Sequence, residues 1–290
     1  YTRTAPAGFK SFNTTNIAAA TTRTQSDPYE QFETLLWTGN GTDNTAIVGT
    51  DWGQSNQLDW IKHRNLGSSH YLYSSLAAMG INKHLETDGT AALTTKTDDL
   101  KAFNNDGFTL DDSAGSGVNR NGYTTVGWRF NLTQAAVSNT DGTITSSVSA
   151  NQTLGMSVGT YTGSGANATV GHGLSVAPEL VFYKSLGTQY WLVYSKVSGA
   201  GYYQFLNTTA AKGGPTAGVF NNTDPTSSTL SLGTDVGINS SSQGYMFMAF
   251  APSEYISIGS YEGNANADST FVPALNINGV PLQPIWWLSK

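Results

Sequence analysis

The stretch Trp37–Thr42 reads WTGNGT, and a near copy, YTGSGA, stands at Tyr161–Ala166. A third version, YEGNAN, occupies Tyr261–Asn266. The shared phrase is an aromatic, a spacer, Gly, Asn or Ser, and a small residue. Followed downstream, the first two copies head a longer repeat. LDWIKHRN (Leu58–Asn65) matches ELVFYKSL (Glu179–Leu186), with Lys62 lying 25 residues after Trp37 and Lys184 lying 23 after Tyr161. The segments starting at His70 and Tyr190, at Phe103 and Phe220, and at Gly117 and Gly237 match in turn. Five blocks in one order at similar spacing mark an internal duplication.

The units run over residues 32–130 and 157–255. Residues 1–31 read as the exit of an upstream domain or a linker, and the start at Tyr1 without Met suggests a piece of a longer polypeptide. Residues 131–156 form a polar linker, whose Asn-Thr-Asp-Gly at 139–142 is a turn signal for a hairpin. Residues 256–290 open with the third phrase and end in PIWWLSK (Pro284–Lys290), which resembles the LDWIKHRN block. They are either the start of a third repeat or C-terminal strands packed on the second.

The blocks favour strands. Runs such as LVFYK, GYTTVGWRF and GYMFMAF carry β-branched and aromatic residues between Gly, Pro and Asn-Gly or Asp-Gly turn signals. The best helical pattern, SSLAAMGINKHLET, is interrupted by Gly80, and its partner in the second unit is not helical, so both are expected to be strand–turn–strand. The fold class expected is all-β, with tandem antiparallel β-sandwich (jelly-roll-like) repeats. In that fold Trp37, Tyr161 and Tyr261 anchor strands in the core, and Gly39, Gly163 and Gly263 turn the chain at positive φ.

Composition narrows the function. Charged residues are only 12% of the 290, with 11% aromatics and a net charge of −6. The 14 Lys and Arg are scattered, which argues against nucleic-acid binding. No Cys is present, so thiolate chemistry and disulfides are excluded. No apolar run is long enough for a membrane helix, and membrane insertion is not expected.

Candidate chemistry is sparse. Asp98–Asp99 and Asp111–Asp112 are paired carboxylates without counterparts in the second unit, and read as solvated turn residues, with a structural Ca²⁺ in DDSAGSG as the alternative. His63, His70, His84 and His172 form no metal-binding pattern, and His172, between two glycines, reads as a buried or turn-bonded imidazole. Asp51, Asp59, Glu86 and Glu179 are the carboxylates a glycosidase could recruit, yet none has a distinctive neighbourhood. No nucleophile elbow occurs. Trp60 and Trp191 lie in strand-like runs and read as core, Trp286 and Trp287 remain candidates for stacking, and Trp52 in the polar loop GTDWGQSNQ is the candidate ligand contact. Asn-x-Ser/Thr tripeptides, at Asn40, Asn131 and Asn207 among others, follow from composition. No catalytic residue, metal ligand or cofactor is expected, and the chain is not expected to be an enzyme.

TGNGT, LDWIKHRN, FNNDGFTL with GVNRNGYTTVGW, SNTDGTITSSVSAN, TVGHGLSVAPELV and FNNTDPTSS together resemble a repeated β-sandwich module of unknown activity. That module occurs in virion structural proteins of tailed, often marine, bacteriophages. The opening YTRTAPAGFKSFNTTNI is similar to the exit of the SPRY-type, concanavalin-like domain that precedes it there. The resemblance implies a tail fibre or appendage at the phage particle surface that displays loops for host attachment. Capsid decoration, a carbohydrate-binding module and, last, a glycan-degrading tailspike are the alternatives. The partners expected are other virion proteins, further copies of the chain and a host cell-surface glycan.

Overall fold

A computed structural model describes residues 28–111, 117–263, 265, 274–279 and 288–289. The first stretch of strands comprises β1 (Phe32–Thr38), β2 (Thr45–Val48), β3 (Gln57–His63), β4 (Tyr71–Ser74), β5 (Gly80–Glu86), β6 (Thr94–Thr95), β7 (Leu100–Asn104), β8 (Gly107–Leu110) and β9 (Thr124–Asn131). Then come β10 (Val137–Asn139), β11 (Ser146–Asn151), β12 (Met156–Thr162), β13 (Ala168–Gly171), β14 (Leu180–Ser185), β15 (Leu192–Ser195), β16 (Gln204–Phe205), β17 (Thr229–Leu232) and β18 (Gly244–Phe250). One helical turn, α1, spans Val236–Asn239 between β17 and β18, and a 3₁₀ turn at Pro28–Glu30 precedes β1. The fold is all-β, built from several antiparallel sheets stacked as in a sandwich. The SSLAAMGINKHLET segment is β4, a turn at Gly80 (φ 66) and β5, as its broken periodicity predicts.

Two large sheets dominate, ordered β1-β9-β3-β4-β5-β6 and β10-β11-β12-β18-β14-β15-β16. Their central strands correspond in order and in register. Trp37 lies opposite Thr125, and Tyr161 opposite Tyr245. Trp60 and Lys62 pair with Trp128 and Val126, while Phe182 and Lys184 pair with Met248 and Met246. Leu72 pairs with Trp60, and Val193 with Phe182. Two small sheets, β2-β8-β7 and β13-β17, correspond likewise, Ile47 pairing with Phe108 and Val170 with Leu230. The hairpin β10–β11 extends the second large sheet beside β12.

Strand alternation assigns the side chains to layers. From β18, Met246, Met248 and Phe250 point to one side while Tyr245, Phe247 and Ala249 point to the other, and all six are buried. An uninterrupted apolar run is what a strand covered on both faces requires. One of those faces meets the other large sheet: Leu58, Trp60, Leu72 and Phe130 share a single core with Val158, Phe182, Val193 and Met248. The outer faces are covered by the small sheets. Leu35, Ile61 and Tyr73 pack with Ile47, Phe108 and Leu110, and Val181, Tyr183 and Tyr194 pack with Val170, Leu230 and Leu232. Four layers result, with the two large sheets back to back in the middle. Loop contacts join them further, Trp191 Nε1 donating to Glu86 O (2.7 Å) and Asn207 Nδ2 to Gly89 O (3.0 Å).

Candidate functional site

The repeated phrase forms a corner where β1 and β12 leave their sheets. Its central glycine is required by crowding. A Cβ on Gly39 would stand 2.3 Å from Arg120 O, and one on Gly163 2.2 Å from Ser240 O. Positive φ falls two residues later, at Gly41 (65°) and Gly165 (75°), not at Gly39 or Gly163 as expected. The aromatic caps the same carbonyl in both copies: Trp37 Nε1 donates to Val118 O (3.2 Å), and the Tyr161 hydroxyl to Ile238 O (2.7 Å). A buried asparagine completes each corner. Asn119 Nδ2 donates to Thr42 O and Asp111 O while its Oδ1 accepts from Asn40 N. Asn239 Nδ2 donates to Ala166 O and Gly233 O while its Oδ1 accepts from Ser164 N.

The third phrase behaves differently. Tyr261 is 51% exposed, no strand starts there, and Gly263 has open space around its Cα, so neither plays the part expected of it. Asn264, Trp286 and Trp287 lie outside the described residues.

Buried charge concentrates in the first half. Arg129, fully buried in β9, donates Nε to Gln57 Oε1 (2.8 Å), Nη1 to Glu33 Oε1 (2.7 Å) and Thr50 O (2.9 Å), and Nη2 to Asn104 O (3.1 Å) and Asn105 O (2.8 Å). The Trp52 ring lies over this guanidinium at 3.7 Å, and its Nε1 donates to Tyr29 O (2.9 Å). One face of the predicted ligand-contact residue is therefore occupied by an arginine. Asp59, also fully buried, accepts from Gln57 Nε2 (3.1 Å), and its Oδ1 has no hydrogen-bond partner. Desolvation pushes its carboxyl up to about 7, against the opposing pull of Arg129. The register places Ser157, Val181 and Ala249 of the second half where the first has Glu33, Asp59 and Arg129.

Asp99 corrects the expectation of a solvated turn. It is fully buried, accepting from Tyr73 Oη (3.0 Å) and pairing with Lys96 Nζ (2.9 Å), with His84 Nδ1 at 3.9 Å. A turn at a sheet end can point its side chain inward, and composition does not show which way. Asp112 lies outside the described residues. Of the other carboxylates, Asp51 caps Gly53 N, Glu179 pairs with Lys196 (2.6 Å), and Asp111 meets Asp43 at the exposed Lys101. Among the described residues no cluster of three or more metal-binding side chains occurs. His172 is buried, its Nδ1 accepting from Leu174 N and its Nε2 facing Thr226 O, as the two flanking glycines suggest. Lys62 and Lys184 do the same work in both halves, Lys62 Nζ donating to Leu66 O and Ser68 O and Lys184 Nζ to Ser185 O and Gly187 O. Burial lowers Lys184 to about 8.

Two surface features remain. A shallow groove of about 380 Å³ between Ala78, Leu186 and the hydroxyl-bearing Ser147, Thr160 and Thr162 lies where the second large sheet extends past the first. At the opposite end of that sheet, β15 and β16 present rings. Tyr190, 47% exposed, packs on Phe205 with centroids 4.9 Å apart, and Tyr203 packs on Phe205 at 5.4 Å. Lys212 Nζ sits 4.3 Å over the ring of Tyr202. The backbone beneath is fixed by the Tyr203–Gly213 hydrogen-bond pair and by Leu206 N to Trp191 O.

With this geometry established, comparison places the chain. Residues 27–274 match the model of a domain of unknown function, DUF7483. The chain belongs to this family. No curated protein matches it, and no solved structure does. The DUF7483 match spans both halves, so the aromatic edge and the buried charges lie within the family domain.

The ring-bearing edge was missed at the sequence level although its letters were in view. YWLVYSKVSGAGYYQFLNTT aligns with the first-half segment that makes β4 and the seven-residue β5, whereas here it makes β15, the two-residue β16 and a loop. The departure from the copy was the available signal.

Proposed function

We propose that the chain is a surface module of a tailed-bacteriophage particle, a tail fibre or appendage that displays loops for host attachment. Residues 32–130 and 157–255 are, in this proposal, two copies of a jelly-roll-like sandwich, and the working particle carries several chains. The single observation that supports the role best is the core shared by the two large sheets. It makes two similar halves one stiff block, able to hold peripheral loops at fixed positions. The charged side chains serve the same end: Arg129, Asp99, Lys62 and Lys184 all bind groups of their own chain.

Capsid decoration is the second reading, favoured by the exposed Leu36 (63%) beside its strand partner Val126, an apolar spot an assembly contact would use. Labelled antibody against the purified chain, applied to intact particles, tests both: label on tails with blocked adsorption supports attachment, label on heads supports decoration, and no label on particles defeats the virion role.

A further inference from the structure

We propose that the β15–β16 edge is a saccharide-binding site, taking a neutral glycan whose pyranose face stacks on the exposed ring of Tyr190, which the partly buried Phe205 backs. The proposal rests on the attachment role for its biological occupant, but its chemistry comes from the edge itself. The first observation concerns hydroxyls. In the sandwich interior four of the five buried tyrosines, Tyr73, Tyr161, Tyr194 and Tyr245, donate to a partner within the chain. At the edge, the hydroxyls of Tyr190, Tyr202 and Tyr203 make no hydrogen bond among the described residues, although each of these rings is held by a ring or cation contact. Aromatic bodies that are fixed while their polar tips stay unspent suit a ligand with both C–H faces and hydroxyls.

The second observation is charge. From Leu186 to Gly213 the chain carries no Asp or Glu, and its two lysines are engaged, Lys196 with Glu179 and Lys212 with the Tyr202 ring. The carboxylates that reach this segment from elsewhere in the chain are engaged as well, Glu179 with Lys196 and Asp224 with the Tyr194 hydroxyl and Ala200 N, so the edge offers neither an unengaged carboxylate for a cationic ligand nor an unengaged ammonium for an anionic one. The third is preorganisation. Asn207 holds the strand end from both sides, accepting from Trp191 N (3.1 Å) and donating to Gly89 O (3.0 Å), so the rings need little ordering on binding. The hydroxyl-lined groove at the other end of the sheet lacks an exposed ring and makes the weaker candidate.

The test is affinity electrophoresis of the whole chain in gels containing laminarin, mannan or galactan, each a neutral polymer of a different sugar, with dextran sulfate as the anionic arm. Retardation by at least one neutral polymer is expected, weakened ~10-fold or more by Tyr190→Ala and by Phe205→Ala, as for an anchoring aromatic in an interface. Ile81→Ala, an exposed position on the other half, should leave retardation unchanged. Thermal melts identify a variant that has merely unfolded, and because Tyr190 is half exposed, Tyr190→Ala decides should Phe205→Ala fail to fold. Retardation by none of the three neutral polymers, retardation that survives Tyr190→Ala in the folded protein, or retardation by dextran sulfate alone that is lost in Lys212→Ala would each overturn the site. The two proposals fail separately: a chain that binds glycan but is absent from particles keeps the site and loses the virion role, and a chain that blocks adsorption without binding glycan does the reverse.

Discussion

At the scale of single residues, the most informative positions occur twice. Asn119 and Asn239 are buried and make matching hydrogen bonds, so removing either side chain leaves backbone groups of one corner without partners. Each unsatisfied buried group costs about 1–3 kcal/mol. Asn119→Ala and Asn239→Ala should each destabilise the protein by about 3 kcal/mol and lower Tm by roughly 6–12 °C in calorimetry. Near-equal losses are expected because the corners are the same device, and a loss confined to one variant would break the equivalence. The aromatic-x-Gly phrase was legible as a corner from its recurrence alone. The reason for its glycine was not, since the crowding carbonyls of Arg120 and Ser240 lie about 80 positions away in the chain. Asp59 was legible only as an unremarkable carboxylate, because nothing local marks a strand residue that faces inward in one copy and is Val181 in the other. Its consequence is a pH dependence. The folded value of about 7 lies above the ordinary 3.8, so between those pH values the folded state keeps a proton that the unfolded chain has lost. Stability therefore falls as pH rises through that window, by on the order of 4 kcal/mol in total. Arg129 and Gln57 face the group and pull its carboxyl down, while Glu33 pushes it up. Asp59→Asn should flatten the Tm-versus-pH curve between pH 4.5 and 8 relative to the parent, whereas parallel curves would show that the Asp59 carboxyl is ionised throughout.

At the scale of elements, alternation along each strand was readable and supplied most of the fold. The all-apolar β18 and the mixed β9 differ because Arg129 stands where β18 has Ala249. A buried charge network is weak evidence of net stability, yet breaking it by one member is strongly destabilising. Arg129→Met strands Glu33 and Gln57 and three backbone carbonyls, and should cost about 3–5 kcal/mol in denaturant unfolding. The triple variant Glu33→Ser, Asp59→Val, Arg129→Met copies the uncharged character of the second half. It should be more stable than the single variant by at least ~2 kcal/mol, the non-additivity expected of a coupled group. A triple variant less stable than Arg129→Met alone would mean that the second half tolerates its apolar set only through its own packing. What the sequence could not convey at this scale is which strand ends become displayed edges. β5 and the β16 segment align as letters, and only the pairing shows one to be a seven-residue strand and the other a two-residue strand followed by a loop.

For the whole molecule, the packing joins the two halves through a shared core. Each large sheet has its second face covered by the other, so Leu58, Trp60, Leu72 and Phe130 share their core with Val158, Phe182, Val193 and Met248 of the other half. Period-two alternation shows that a strand has two apolar faces but not what covers them, and for this reason the back-to-back arrangement was invisible in the letters. The shared core couples the halves thermodynamically: neither can unfold without stripping the other's inner face. A single cooperative transition is therefore expected in urea, with an m-value set by the surface of both halves together. Phe250→Ala, which hollows the shared core from the second half, should cost about 3–5 kcal/mol. It should shift that one transition as a whole, seen alike by the fluorescence of Trp60 and Trp128 in the first half and by far-UV circular dichroism. Two separated transitions, with the first-half tryptophans indifferent to Phe250→Ala, would mean that the inner faces are not energetically joined. The stiffness on which loop display depends would then have to come from the polar contacts between the halves, among them Trp191 Nε1 to Glu86 O, Asn207 Nδ2 to Gly89 O, Leu93 N to Leu186 O and Gln189 N to Thr90 O.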